Sequence, residues 1–167
     1  LSGARMWPWW LRAAGMAVGS DGEISTILDV VPALVDVGPR CFLADGIYLA
    51  GPRVHRGTVT LARTTLGANT FIGNHAVIAS GQQLAPDLLI GVCTAADDAR
   101  MRLGSSWFGH PPFSLARPVV PVDRRLTHDP PFIRRVNRWG WELLRFAIPI
   151  VPFVAGVSWI ASLTTAL

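Results

Sequence analysis

Four histidines, His55, His75, His110 and His128, are the side chains of this 167-residue chain whose ordinary pKa suits proton transfer near neutral pH. His75 sits in Gly73-Asn74-His75-Ala76, and His55 directly follows Val54. An imidazole on an exposed wall can serve as general base for an amine or hydroxyl attacking a thioester. His75 and His55 are therefore the candidate catalytic residues, with Asn74, Asp45, Trp107 and His110 as candidate substrate-binding residues. Asp45 falls on a neighbouring face and would orient such a base only if a partner domain brought it near. His55 and His75 also have a plainer reading as solvated or interface side chains, and His128, before Asp129-Pro130, reads as a linker residue. A catalytic zinc needs three protein ligands plus water. His55 and His75 supply two and no third histidine recurs at their spacing, so no metal is expected. No nucleotide loop, nucleophile elbow or Ser-His-Asp order is visible. Cys41 and Cys93 read as packed thiols.

The element that must position these residues is announced by a sixfold aliphatic period. Val18, Ile24 and Val30 are six apart, as are Val37, Leu43 and Leu49, and Leu66, Ile72, Ile78, Leu84 and Ile90 continue the rhythm. Gly or Ala often follows at once, as at Gly19, Gly38, Ala44, Gly67, Gly73, Ala85 and Gly91. Such a period is neither helical nor simply alternating; it predicts a left-handed parallel β-helix of about four coils over residues 17–103. Three hexapeptides make one triangular coil, and small residues fit its tight corners. Intervals of 17 to 19 residues then place Val18, Val37, Val54, Ile72 and Ile90 on one face. Ile24, Leu43, Leu61 and Ile78 share a second, and Val30, Leu49, Leu66 and Leu84 the third. With coils about 4.8 Å apart, His55 and His75 would lie within roughly 10 Å of each other.

The flanks read differently. Residues 1–16, with Met6-Trp7-Pro8-Trp9-Trp10, form a Trp-rich lead-in that caps the coils or meets a headgroup layer or another domain. Residues 104–128 are rich in Pro and Gly and predict a loop and linker. Residues 129–145 predict an amphipathic basic helix with Asp129 as N-cap and Pro130 in the first helical position. Phe132, Ile133, Val136, Trp139 and Leu143 share one face of it, and Arg134, Arg138, Glu142 and Arg145 another. Phe146 to Leu167 holds 22 residues without a charge, about 33 Å as a helix and enough to cross a bilayer core. Pro149 and Pro152 fall near its beginning, where a helix end or kink is tolerated. Arg124, Arg125 and Arg135 add positive charge beside it, which favours the cytoplasmic side for the β-helix. Two cysteines and no signal peptide fit that compartment.

Half of the residues are hydrophobic and 16% are charged, a lean polar surface for a soluble protein. All fifteen basic residues are Arg, and the net charge is +4. No basic stripe interleaved with aromatics supports nucleic-acid binding. The chain starts at Leu1 and stops inside an apolar run at Leu167, so it is expected to be a piece of something longer.

The repeats from Val18 to Ile90, about half the chain, resemble the hexapeptide-repeat acyltransferase superfamily, and Trp107-Phe108-Gly109-His110-Pro111-Pro112 looks like that family's loop after the last coils. Together with Leu11-Arg12-Ala13-Ala14-Gly15 and the apolar C-terminal run, these segments resemble the C-terminal region of membrane-bound nonribosomal peptide synthetases of the poly-lysine synthetase type. The resemblance implies amide-bond formation between amino acids carried as thioesters, with His75 as the position matching the family's base. It implies no cofactor held in this fragment, but a phosphopantetheine-linked acyl substrate from an upstream carrier domain. The implied partners are the membrane, that carrier, and sister β-helix domains or trimer partners. The chain lacks the His-His-x-x-x-Asp-Gly motif of ordinary condensation domains and the long run of coils that binds acyl-CoA. Two alternatives remain: a non-catalytic structural module packed against sister domains, and a stand-alone acetyl- or acyltransferase.

Overall fold

Aliphatic residues recurring every sixth position need a backbone that turns them repeatedly toward one axis, and the chain does this by visiting three parallel sheets in rotation. The computed structural model describes residues 6–116, 118, 123 and 130–165. They belong to two units, Leu1–Val120 and Pro121–Leu167.

In the first unit a short helix α1 (Trp7–Ala13) leads into β1 (Ala17–Val18), β2 (Glu23–Ile24) and β3 (Ile27–Leu28). A 3-10 turn, Pro32–Leu34, precedes β4 (Val35–Val37), β5 (Phe42–Leu43) and β6 (Ile47–Leu49). The chain then makes an excursion through β7 (Arg53–His55) and β8 (Thr58–Thr60). It returns in β9 (Thr64–Leu66), β10 (Phe71–Ile72) and β11 (Val77–Ile78), and continues with β12 (Gln83–Leu84) and β13 (Leu89–Ile90). Last come β14 (Ser106–Phe108) and β15 (Phe113–Ser114). The first sheet runs β1-β4-β9-β12, the second β15-β14-β13-β10-β5-β2, and the third β11-β6-β3. All pairings in them are parallel except β14 with β15.

Register places like on like. Val18 pairs with Val37, Val37 with Leu66 and Leu66 with Leu84. In the second sheet Ile24, Leu43, Ile72, Ile90 and Trp107 form one row. Leu49 pairs with Ile78 in the third. Leu43, Ile47, Leu49, Ile72 and Ile90 are fully buried, and each such side chain contributes roughly 1.5–3 kcal/mol.

This register corrects the expected faces. Val54 and Leu61 are not in the stack at all: β7 and β8 pair antiparallel as a separate exposed hairpin, and Leu61 follows it. Other successive coils differ by 17 to 20 residues, but Val37 to Leu66 is 29, the excess being the hairpin. Ile72 and Ile90 therefore join Ile24 and Leu43 rather than Val37, and Leu66 joins Val37 rather than Leu49. Val30 lies outside every strand. A hairpin alternates apolar residues at period two, and Val54 and Leu61 happened to match the coil spacing.

The corners are made by residues in the left-handed region. Asp21, Arg40, Asn69 and Asp87 form one set, with φ between +56 and +57; Gly46, His75 and Cys93, at +68, +56 and +52, form another. Such a conformation costs a non-glycine residue about 1–2 kcal/mol. Here it aims each N–H at the preceding coil: Arg40 to Ser20 O, Asn69 to Pro39 O, His75 to Asp45 O and Cys93 to Asn74 O. Gly67 shows why a corner residue must be small, since a Cβ there would lie 2.3 Å from the Pro86 nitrogen of the next coil.

Both ends of the stack are closed. At the start Leu11 and Pro8 of α1 are buried, and Arg12 donates to the carbonyls of Val18 and Gly19, which no strand reaches. At the far end Trp107 is buried beside Met101, under the Arg100 guanidinium at 5.4 Å, and β15 folds back on β14.

The second unit contains α2 (Phe132–Thr165), one unbroken helix across the division expected at residue 145, with Pro149 and Pro152 inside it. Pro130 precedes it rather than taking its first helical position. Asp129, the expected cap, with Arg124, Arg125 and His128, lies outside the described residues. Arg138 pairs with Glu142 at 3.4 Å. Phe132–Ser162 is long and apolar enough to cross a membrane, and its apolar window is not buried.

Candidate functional site

The corner between the second and third sheets brings together the residues with the most chemical potential. Ser25 and Thr26 lie between β2 and β3, Asp45 and Gly46 between β5 and β6, and Asn74 and His75 between β10 and β11. Parallel stacking sets them one above another. The Asp45 carboxylate accepts hydrogen bonds from the Ser25 hydroxyl and, at 3.2 Å, from Thr26 Oγ1. The Asp45 N–H donates to Asn74 Oδ1 at 3.1 Å, and the Asp45 carbonyl accepts from the His75 N–H at 3.0 Å. The His75 imidazole covers Gly46, where a Cβ would fall 2.5 Å from Nδ1. The Ser25 hydroxyl chiefly, with Thr26 and the charge of His75, holds the Asp45 carboxyl below its ordinary pKa, against a smaller opposing effect of burial.

Asp45 thus stands beside His75 within one chain, without a partner domain. Because the hairpin inserts eleven residues, the 29-residue step from Asp45 to Asn74 is a single coil, which uniform spacing hides. Ser25, Thr26 and Gly46 were missed for another reason: a hydroxyl or a glycine at a corner carries no sequence signal of its own, and only the stacking of β2 on β5 sets them beside Asp45.

Beside this corner, on the outer face of the second sheet, is an open groove of about 390 Å³ lined by Glu23, Ser25, Phe42, Asp45, Phe71, Asn74 and Val92 among others. Phe42 and Phe71 stack at 5.0 Å between ring centroids with planes 4° apart. Their outward position follows from strand alternation, since Leu43 and Ile72 beside them point inward. The groove offers an apolar floor with a carboxylate, an amide and a hydroxyl at one edge.

The other singled-out residues lie elsewhere. His55 is on β7 of the hairpin, between the third and first sheets, so the one-coil spacing that paired it with His75 does not hold. Trp107 is in the core row, its Nε1 donating to Ser105 Oγ at 2.8 Å, and its ring closes the stack rather than facing the groove. His110 is exposed in the turn between β14 and β15, before a cis peptide to Pro111. Among the described residues no hydrogen bond joins it to the Asp45 corner. Cys41 is buried, its Sγ donating to Gly67 O at 3.1 Å, and desolvation raises its thiol pKa. Cys93 is exposed rather than packed.

Along 145 residues, 85% of its length, the chain is 37% identical to delta-poly-L-ornithine synthetase of Acinetobacter baumannii. That similarity supports a synthetase-related family. The chain spans 11% of the length of that relative. No family model matches, and no solved structure matches.

Proposed function

We propose that this chain is a membrane-anchored segment of a synthetase, in which a left-handed parallel β-helix of the hexapeptide-repeat type supports amide-bond formation between carrier-bound amino acids. The observation that carries the reading is the similarity to a poly-ornithine synthetase along most of the chain. Inward aliphatic rows and rotation through three parallel sheets support the β-helix assignment. Helix α2 supports the membrane anchor, and Arg134, Arg135, Arg138 and Arg145 near its start support a cytoplasmic position for the β-helix by the positive-inside rule.

In this reading the amine of one amino acid attacks the thioester carbonyl of another, delivered on phosphopantetheine by an upstream carrier domain. The C–N bond forms and the C–S bond breaks; His75 takes the proton from the attacking nitrogen and returns it to the departing sulfur, which leaves as the carrier thiol. Asp45 stands beside His75 and fixes its turn by accepting the His75 N–H. Asn74 and the groove bind the acyl chain, and sister β-helix domains complete the site. His55 and His110 would enter only from such a neighbour.

His75→Asn in the full-length synthetase tests this directly, since Asn tolerates the left-handed turn but cannot take the proton. Loss of polymer with amino-acid activation and thioester loading intact is expected. Polymer made at the parent rate removes His75 from the reaction. That outcome would favour a second reading, a structural module. One observation supports it: His75 shares its turn position with Gly46 and Cys93, so backbone geometry alone accounts for a residue that adopts positive φ.

A further inference from the structure

The β7–β8 hairpin has no role in the stack. Its turn residues Arg56 and Gly57 have φ of +47 and +76, the pattern of a two-residue type I′ turn. Val54 pairs with Val59, and alternation puts both on one face, with Arg53, His55, Thr58 and Thr60 on the other. Val54 is 71% exposed and Val59 59%, with Leu61, in step with them, at 48%. A lone two-stranded hairpin is marginal in water and needs something against its apolar face.

Charge narrows what that is. No Asp or Glu occurs between Asp45 and Asp87. Among the described residues neither Arg53 nor Arg56 has an ion-pair partner, whereas nearby Arg63 binds Asp36 at 2.9 Å. An apolar face backed by unpaired arginines fits the boundary of an anionic bilayer: aliphatic groups enter, and long guanidinium side chains reach the phosphates. Covalent continuity brings such a surface within reach, since only residues 115–131 separate β15 from a helix apolar enough to span.

We propose that the β7–β8 hairpin is a docking arm for an anionic lipid surface, with Val54 and Val59 entering the headgroup boundary and Arg53 and Arg56 meeting lipid phosphates. This rests on the membrane-anchored reading above, and it adds a second point of contact to the helix.

The test uses the whole chain in vesicles of phosphatidylcholine alone or mixed with phosphatidylglycerol. An environment-sensitive fluorophore is placed at Val59→Cys, with exposed Cys93 changed to Ser. A blue shift and quenching by lipid-borne quencher are expected only with phosphatidylglycerol. Arg53→Gln with Arg56→Asn, the latter suited to a type I′ turn, should lower the docked-to-undocked ratio about thirtyfold, roughly fivefold per arginine. No lipid signal, an equal signal in neutral vesicles, or no effect of the double variant overturns the proposal. So does a shift produced only by adding an acidic carrier domain, which would assign the arm to a protein. A label at Ile150→Cys reads the helix separately. Loss of that signal with the hairpin signal kept sinks the spanning helix and not the arm.

Discussion

Asp45 holds the candidate site together through three neighbours: its carboxylate takes the hydroxyls of Ser25 and Thr26, its N–H meets Asn74, and its carbonyl takes the His75 N–H. Because its folded pKa is depressed, its contribution to stability is present above the ordinary aspartate value of about 3.9 and is lost as pH falls through the lower folded value. Urea midpoints followed from about pH 6 to about pH 2 should therefore fall less steeply for Asp45→Asn than for the parent. Identical acid limbs would mean that the Ser25 bond stabilises nothing. This corner was only half legible in the sequence. Asn74 and His75 stand out by type, but their relation to Asp45 was hidden by the eleven extra residues before them. Trp107 misled for another reason: a Trp beside a Gly/Pro loop looks like a contact residue, yet its size makes it the stopper of the core.

At the scale of elements, the inward rows were readable wherever six-residue steps were unbroken, from Val18 to Ile24, from Val37 to Leu49 and from Leu66 to Ile90. What failed was continuity across the hairpin, because Val54 satisfied both the coil's spacing and the hairpin's alternation. Residues 51–61 are the excess over a regular coil. Joining Ala50 to Ala62 restores a six-residue step from Leu49 to Leu66, matching Ile78 to Leu84. Deleting 51–61 is thus expected to leave the coils folded and the unfolding free energy from urea titration within about 1 kcal/mol, shortening a connection being a small entropic change. A molten or aggregated product would show that the hairpin supports the coils. The helix poses the converse case. Proline predicts a break, but Pro149 and Pro152 are accommodated within α2.

Across the molecule, strands of one coil pair with strands of the coils beside it, so stability is treated as a chain of neighbour terms. Ile72 sits centrally in the row Ile24-Leu43-Ile72-Ile90-Trp107 and is fully buried. Ile72→Ala should cost about 2–5 kcal/mol in urea unfolding of the whole chain. A loss below about 1 kcal/mol would mean that the coils do not unfold as one unit.

A stack of parallel coils is also, in principle, a template for copying itself: each open end presents backbone groups that another such end could join. Arg12 occupies the carbonyls at the first end, and β15, running antiparallel, ends the parallel order at the other. One guanidinium at the first end and one reversed strand on the second sheet thus stand where a further coil would add, between a domain and the first layers of a fibre.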